Sequence, residues 1–313
     1  MTTRRNVLLG FGALALTSPI RAATVSRSGT AFGTAVAITV TAGDATHANR
    51  AIDAAYAEIR AVHQAASLFD SDSEVSRLNR TGALEQPSPL LSGIIHFSDH
   101  IHKLTSGAFD PGIQPLWELW ANGNPHAMAV ADTLRRVGWS KLHVNDHKLA
   151  MLDRGALSFN GIAQGFAADR VMTSLRNAGV ISAIIDTGEA GRLNADGRVF
   201  IQHPRKQTAL GAISLPNGFI AVSGDCATAF TDDFVHHHIF DPVKGFSPRE
   251  LASVAVVAQT GAMADGLATG FMVMGVAKSL ACLGRINGCS ALFVDKACNV
   301  TLSPGMKKLF QYT

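Results

Sequence analysis

The apolar positions of the chain alternate between the period of a strand and the period of a helix. The stretch "FGTAVAITVTA" (32–42) alternates as a half-buried strand does, and "DATHANRAIDAAYAEIRAVHQAASLF" (44–69) carries helical spacing. Further helices are predicted at "SPLLSGIIHFSDHIHKLTSG" (88–107), "GIAQGFAADRVMTSLRNAG" (161–179) and "MADGLATGFMVMGVAKSLACL" (263–283). Strands are predicted near Leu142 and Leu157, at 181–186, 198–203, 210–215, 218–223 and 252–259, and last at 289–295.

Two segments of this pattern predict no regular structure. "DSDSEVSRLN" (70–79) is polar and indicates a turn, and "FDPGIQPLWELWANGNP" (109–125) is rich in Pro and Gly. The second segment carries Phe109, Trp117 and Trp120, and aromatic residues on such a loop either fill a core or stack on a ligand.

The fold class follows from what separates these elements. We find no internal repeat, no low-complexity tract and no long linker, and 47% of the residues are hydrophobic while 16% are charged. This pattern favours one mixed α/β or α+β unit over tethered domains.

Residues 1–23, "MTTRRNVLLGFGALALTSPIRAA", have the pattern of an export signal. Arg4 and Arg5 precede a short apolar run, and small residues follow at Ala22 and Ala23. The run is too short for a membrane span. The paired arginines indicate the twin-arginine type, with a Sec signal as the alternative, and we expect a mature domain over 24–313.

Charge and cysteines exclude several classes of function. The signal holds three of the 27 Lys and Arg residues, so the rest of the chain balances its 24 acids. A neutral mature protein gives no electrostatic reason to bind nucleic acid. The four cysteines form no C-x-x-C pair, which argues against zinc, and Ser223 lacks the G-x-S-x-G frame of a hydrolase nucleophile.

Two motifs place oxygen donors and small residues on predicted helices. Asp265 and Thr269 stand at i and i+4, so a carboxylate and a hydroxyl share one helix face, which suits Mg²⁺ or Ca²⁺. Gly161 and Gly165 lie where a helix begins and would let backbone groups approach a phosphate or a metal. Taken alone, each motif is more simply explained by a structural role.

The histidine run in "HHHIFDP" (236–242) has three interpretations. Adjacent histidines cannot all reach one metal ion comfortably, and in an extended segment His236 and His238 would share a face opposite His237. Spacing alone favours a surface cluster, although a histidine beside an Asp-Pro turn would also serve as a general base.

Taken in order, these blocks resemble the ApbE family of FAD:protein FMN transferases. The resemblance rests on "FGT", "DSDSEVSRLN", "FDPGIQPLWELW", "GIAQGFAAD", "VSGD", "HHHIFDPVKG" and "ADGLATGFMVMG". It implies a single α+β domain with mixed, largely antiparallel sheets packed by helices. It also implies Mg²⁺-dependent transfer of FMN from FAD to a threonine or serine of an exported acceptor protein, with release of AMP. The implied location is the periplasm, with no transmembrane span in the mature chain and with any membrane association made through the partner.

The resemblance also assigns residues. It implies His238 as the catalytic base, and Asp265, Thr269 and the Gly161 carbonyl as metal ligands. The residues expected to contact FAD are Phe32, Phe69, Phe109, Asp110, Pro111, Ser158, Gln164 and Ile239. The chain departs from the family pattern where Ser158 and Gln164 replace charged residues, where Cys226 and Thr228 replace a tyrosine and an arginine, and where Glu189 replaces a glycine. Two alternatives follow: an FAD-binding maturation accessory without turnover, and a pyrophosphatase that cleaves FAD to FMN and AMP.

Overall fold

A computed structural model describes residues 22–145 and 147–313, so the predicted signal at 1–23 lies almost wholly outside the described residues. Within these ranges the chain forms seven α-helices and fourteen strands. The helices are α1 (Ala45–Ala66), α2 (Glu74–Thr81), α3 (Pro89–Leu104), α4 (Gln114–Ala121), α5 (Ala127–Leu134), α6 (Ala163–Asn177) and α7 (Gly261–Leu283). The strands are β1 (Ala23–Ala31), β2 (Thr34–Ala42), β3 (Ala83–Glu85), β4 (Leu142–Asn145), β5 (Lys148–Met151), β6 (Ser182–Asp186), β7 (Ala190–Leu193), β8 (Arg198–Gln202), β9 (Ala209–Ser214), β10 (Gly218–Gly224), β11 (Leu251–Ala258), β12 (Ser290–Asp295), β13 (Val300–Leu302) and β14 (Phe310–Tyr312).

The strands form three antiparallel sheets. The largest has eight strands in the order β1-β2-β6-β7-β10-β11-β12-β13, and two three-stranded sheets have the orders β14-β9-β8 and β3-β5-β4. This architecture confirms the prediction of one α+β domain with largely antiparallel sheets.

Strand β11 shows how the core is layered. All eight of its residues are buried, with Val254 and Val256 in the cluster beneath α1, α6 and α7. Ala255 and Val257 face the opposite side, where Val199 and other apolar residues of the β14-β9-β8 sheet cover them. A strand buried on both faces loses the alternation of apolar and polar residues, which is why "ASVAVVAQ" is continuously apolar.

Most of the predicted helices and strands are confirmed, and the exceptions have physical causes. The segment 70–79 was expected to be a turn, but most of it lies in α2, where Val75 and Leu78 are buried, Ser73 caps the first turn and Gly82 ends the helix in the left-handed conformation. No strand forms at Leu157, which is buried in an extended stretch without a strand partner among the described residues.

The Pro- and Gly-rich segment 109–125 is also more regular than predicted. A short 3₁₀ turn (Pro111–Ile113) leads into α4, because proline is well tolerated in the first turn of a helix. The prediction of 289–295 as the last strand was wrong as well, since β13 and β14 follow it, and β1 was not predicted.

Helix α7 is a long apolar helix in the interior of the domain. Its length and hydropathy would suffice for a membrane span, and it is the one such helix among the described residues. Half of the most apolar stretch of the helix is buried inside the protein, where α7 packs against α6, β10 and β11. The helix therefore forms part of the core here, and it carries Asp265 and Thr269.

Candidate active site

A cavity of about 500 Å³ lies between α6, α7, the turn that follows β1 and the loop at 227–240. All eight residues expected to contact FAD line it, together with His238, Gly161 and Thr269. Asp265 lies one turn before Thr269 on α7 and is 1% exposed. Residues that are more than 230 positions apart in the chain thus meet at one cavity, and its volume is that of a small-molecule site.

Two of the proposed metal ligands, Gly161 and Thr269, meet where α6 begins against α7, and Asp265 lies buried one turn earlier on α7, outside the cavity lining. The Gly165 N–H donates to Asp265 Oδ2 at 3.0 Å, and the Thr269 hydroxyl lies 3.2 Å from Ser223 Oγ. A Cβ added at Gly161 would stand 2.9 Å from Thr269 Oγ1, so the backbone there lies directly against that hydroxyl. One carboxylate, one hydroxyl and one adjacent backbone segment therefore offer hard oxygen donors in a small volume.

Gly165 is the residue that allows this approach. A Cβ at this position would lie 2.2 Å from the Gly261 carbonyl oxygen and 2.7 Å from Asp265 Cβ. The two helices meet backbone to backbone here, so the glycine identified from the sequence has a packing role in addition to any ligand contact.

Asp169 fixes the start of α7, a role that the sequence pattern did not predict. Its carboxylate accepts the Gly261 N–H at 2.6 Å and the Ala262 N–H at 2.9 Å. Burial raises the pKa of this carboxyl to about 6, against the lowering effect of those two N–H groups. The sequence offered one signal for this role, an acidic residue one turn after Gly165, because the free N–H groups at the start of a neighbouring helix bind carboxylates.

The three histidines of 236–238 separate into three environments. His236 stacks on Trp120 with ring centroids 4.4 Å apart. His237 is fully buried, its N–H donates to Ser247 Oγ at 2.9 Å, and its Nε2 lies 3.2 Å from the Pro248 carbonyl oxygen. The expectation of a surface cluster was therefore wrong, because packing with Trp120 and the 247–248 segment draws two of the rings inward.

His238 is the one member of the run that lines the cavity. Its Nδ1 lies 3.1 Å from the Thr228 carbonyl oxygen, which also accepts the His238 N–H at 3.0 Å. A carbonyl oxygen only accepts, so the hydrogen of the neutral ring lies on Nδ1 and the lone pair on Nε2. The loop thus holds the ring in a single tautomer, the one in which Nε2 has basic character.

Burial changes the neighbouring His237 in another way. Desolvation lowers its pKa to about 4, with a smaller opposing effect from the hydrogen bond to Pro248. This ring is neutral at physiological pH, which suits a structural role.

The aromatic residues in and near the cavity include both predicted types. Phe109 is 3% exposed and Trp120 is 2% exposed, so both fill the core. Phe69 is 67% exposed and Trp117 is 36% exposed, and both line the cavity mouth. Phe109 and Trp120 therefore pack in the core, whereas Phe69 and Trp117 are exposed enough to stack on a ligand.

Asp110 lines the cavity but also organises its own loop. Its oxygens accept the Gly112 N–H at 2.7 Å and the Trp139 N–H at 3.0 Å, and burial raises its pKa. The side chain therefore holds the turn at Pro111 in place whatever the cavity contains.

Two of the expected departures from the family pattern, Gln164 and Glu189, lie at the turn 187–189. The side-chain amide of Gln164 lies against Gly188, where an added Cβ would be 2.3 Å from Nε2, and the Gln164 backbone carbonyl oxygen accepts the Thr187 hydroxyl at 3.0 Å. Glu189 is 2% exposed and accepts the Val222 N–H at 3.2 Å. The glutamate thus lies inside the protein, bonded to strand β10.

Comparison with known proteins decides the family. The model of the ApbE family matches residues 32–293, which is most of the chain. The chain belongs to the ApbE family. A FAD:protein FMN transferase of Vibrio cholerae is 31% identical over 240 residues, covering 70% of this chain and 72% of the relative. A FAD:protein FMN transferase of Haemophilus influenzae is 28% identical over 252 residues, covering 71% and 72%.

Solved ApbE structures share the fold. The ApbE protein of Thermotoga maritima superposes with a TM-score of 0.83 at 24% identity, covering 91% of this chain and 99% of that protein. The apo form of the Pseudomonas stutzeri flavinyl transferase ApbE gives 0.80 at 25% identity, covering 94% and 99%. The predicted family, fold and transferase class are thereby confirmed, since the curated ApbE relatives named above are transferases.

Proposed function

We propose that the protein transfers FMN from FAD to a threonine or serine hydroxyl of an exported acceptor protein and releases AMP, with Mg²⁺ at the pyrophosphate. One observation carries the proposal: the candidate base His238 faces the same cavity as Gly161 and Thr269. A base for the hydroxyl and oxygen donors for a metal on the pyrophosphate are what this phosphoryl transfer needs. The names of the curated relatives support it.

The oxygen donors fit Mg²⁺. Asp265 and Thr269 project from one face of α7, and the Gly161 backbone lies beside the Thr269 hydroxyl. In the part of the chain that the structure describes, no cluster of three His, Cys, Asp or Glu residues could hold a metal. When bound, Mg²⁺ would offset the charge of the pyrophosphate oxygens. A set of hard oxygen donors without sulfur or imidazole is the type that this ion prefers.

His238 supplies the proton chemistry. Its Nε2 accepts the proton of the acceptor hydroxyl while that oxygen forms a bond to the phosphorus on the FMN side. The bond from this phosphorus to the bridging oxygen breaks, and its electron pair leaves with AMP. The Nδ1–H bond to the Thr228 carbonyl keeps the ring aimed and stabilises the imidazolium that forms.

The neutral residues Ser158 and Gln164 affect the binding of FAD. Both line the cavity and both can donate and accept hydrogen bonds. Loss of an ionised partner removes on the order of 1–3 kcal/mol per contact, so we expect weaker FAD binding than in relatives that keep the charges.

The direct test is a flavinylation assay. The protein over 24–313 is incubated with FAD, Mg²⁺ and a protein acceptor of the Vibrio cholerae relative, and covalent flavin and AMP are both measured. We expect flavin on the acceptor, loss of transfer in Asp265→Asn, and no effect of Asp132→Asn, whose carboxylate is exposed on α5. Absence of covalent flavin, where the relative modifies the same acceptor, would contradict the proposal.

The same assay separates the two alternatives. FMN and AMP produced at the same rate without an acceptor would identify a pyrophosphatase. Binding of FAD without any AMP would identify an accessory that holds the dinucleotide.

Periplasmic location forms part of the proposal. It rests on the Arg4-Arg5 signal pattern and on the exported acceptor that the family implies. Fractionation of cells expressing the full chain, with Arg4→Lys and Arg5→Lys as a pair, tests it: we expect loss of export in the paired variant.

A further inference from the structure

A second cavity, of about 330 Å³, adjoins the candidate active site. Ala227 lines both cavities, and Gly188, which lines the second, lies against the Gln164 side chain that lines the first. The loop between them continues to Thr228, whose carbonyl orients His238. A chain segment seated in the second cavity would therefore reach the base by crossing Ala227.

The second cavity is basic. Arg205 and Lys206 line it, and none of its lining residues among those described is an Asp or a Glu. Two buried acids lie beside it: Asp225 accepts Arg205 at 2.8 and 2.6 Å and Lys296 at 2.5 Å, and Glu189 accepts the Val222 N–H at 3.2 Å. Asp225 is thus shared by two cations, Glu189 is bonded to the β10 main chain, and the exposed Lys206 presents its positive charge at the surface of the cavity.

Arg205 and Lys296 are held in fixed positions. The Arg205 guanidinium lies 4.4 Å from the centroid of the Phe234 ring, and Lys296 Nζ donates to the Phe234 carbonyl oxygen at 2.9 Å. Ordered cations lose little side-chain entropy when they bind an anionic partner.

A strand edge borders the same cavity. Strand β10 runs to Gly224, but β7 pairs only with its residues Gly218, Phe219 and Ile220. Residues 221–224 pair with β11 on one side, and no described strand covers the other side. Val222 and Gly224 of this stretch line the second cavity. The Val222 N–H is already bonded to Glu189 Oε2 at 3.2 Å, so an extended peptide would add to this edge through the remaining main-chain groups.

From this juxtaposition we propose that the second cavity seats an extended, acidic segment of the acceptor protein and delivers its hydroxyl to His238. The inference rests on the proposed function, because it assigns to that reaction the surface that recognises the protein substrate. The basic lining of Arg205 and Lys206 selects the charge of the segment, the β10 edge selects its extended form, and Ala227 connects it to the active site.

Cys226 gives a readout that needs no catalysis. This thiol is exposed and lines the second cavity, whereas Cys289 lies outside both cavities and serves as the internal reference. Two short synthetic peptides are compared, each with a single central threonine, one flanked by aspartates and the other by lysines. The alkylation rates of both thiols are followed by mass spectrometry with each peptide present.

We expect the aspartate peptide to slow alkylation of Cys226 at least about threefold and the lysine peptide to have no effect. Lys206→Glu should abolish this protection. The matched variant Lys278→Glu, at an exposed lysine on α7 that lines neither cavity, should retain it. No protection, or equal protection by both peptides, would overturn the proposal.

The same samples with FAD and Mg²⁺ keep the two proposals distinct. Flavin on the threonine without protection of Cys226 would overturn the docking cavity and leave the transferase proposal standing. Protection without flavin on any threonine acceptor, peptide or protein, would contradict the transferase proposal and leave the docking cavity standing.

Discussion

The two sides of the active-site cavity are built on different principles. On the helix side, α6 and α7 meet backbone to backbone, with Gly165 against Gly261 and Asp265 buried between them. On the loop side, residues 226–241 have no strand or helix, and polar contacts such as His238 to Thr228 and His237 to Ser247 hold them. The helix side depends on close backbone packing, whereas the loop side depends on individual hydrogen bonds and on ring contacts such as His236 to Trp120.

This difference predicts how each side responds to substitution. Close-packed backbone cannot yield to an added atom, so changes on the helix side should affect folding and activity together. A loop held by individual hydrogen bonds can lose a reactive side chain and keep its path, so changes there should separate chemistry from stability.

The largest effect is expected on the loop side, at His238. We expect His238→Ala to lower the rate of transfer roughly 10²–10⁴-fold, because the hydroxyl loses its base. Stability should change by less than about 1 kcal/mol, since the ring is part of a loop and not of the core. Single-turnover flavinylation and urea unfolding measure the two quantities.

His236→Ala is the matched control for this variant. It removes the neighbouring ring that stacks on Trp120 and leaves the base in place, so transfer should persist. Equal losses of transfer in both variants would remove the distinction between chemistry and packing on the loop side.

The next effect is expected on the helix side, at Gly165. Gly165→Ala should destabilise the protein by about 3 kcal/mol, because the added Cβ would stand 2.2 Å from the Gly261 carbonyl oxygen and force α6 from α7. FAD binding should fall with it. Urea unfolding and equilibrium titration with FAD measure both losses.

Gly161→Ala provides the comparison within the same turn. Its Cβ would meet the Thr269 hydroxyl at 2.9 Å, and a side chain can rotate where a backbone carbonyl cannot. We expect a smaller loss of stability. Should Gly165→Ala unfold at the same urea concentration as the wild type, the helix side would not be close-packed in solution.

A pH effect of similar size is expected from the buried His237. Burial lowers its pKa in the folded state to about 4 from an ordinary value of 6.5, so the folded protein binds this proton more weakly than the unfolded chain does. The contribution to stability is complete above pH 6.5 and is lost as the pH falls from 6.5 to about 4, by about 3 kcal/mol in total.

Urea unfolding of the wild type and of His237→Gln across this range isolates the histidine. Asp169, whose pKa burial raises to about 6, contributes in the opposite direction, and it does so in both proteins. We expect the stability gap between the two proteins to narrow as the pH falls. A difference in stability that stays constant with pH would show that folding does not lower the pKa of His237.

The smallest effect is expected at the cavity mouth, at Phe69. Its ring is 67% exposed and lies against Gly33. We expect Phe69→Ala to change the free energy of unfolding by less than about 0.5 kcal/mol and to weaken FAD binding by about 0.5–1.5 kcal/mol through lost stacking. Fluorescence titration with FAD measures the second change. Unchanged affinity would remove Phe69 from the binding surface.

Much of the fold was predictable because the apolar periodicity is strong. The 22 residues of α1 and the 15 of α6 have one apolar face each, and β2 alternates clearly. The failures occur where local composition misleads. Helix α2 is polar except for Val75 and Leu78, and α4 begins in a Pro-rich stretch, so only tertiary packing makes their helical form evident.

For the candidate site, the sequence determined the residue types and their local spacing. The i, i+4 relation of Asp265 and Thr269 follows from helix geometry alone, and the glycines at 161 and 165 mark a place where backbone must approach closely. The order of the motifs along the chain is itself enough to indicate the ApbE family. These are properties of short segments, which a linear chain specifies directly.

The tertiary structure alone decided which of these segments meet. It separated three adjacent histidines into a stacked ring, a buried ring and one cavity-lining ring, and it placed Asp169 under the start of α7. It also set a basic second cavity beside the first at Ala227. Burial, tautomer and pKa depend on neighbours that are distant in sequence, and folding alone brings those neighbours together.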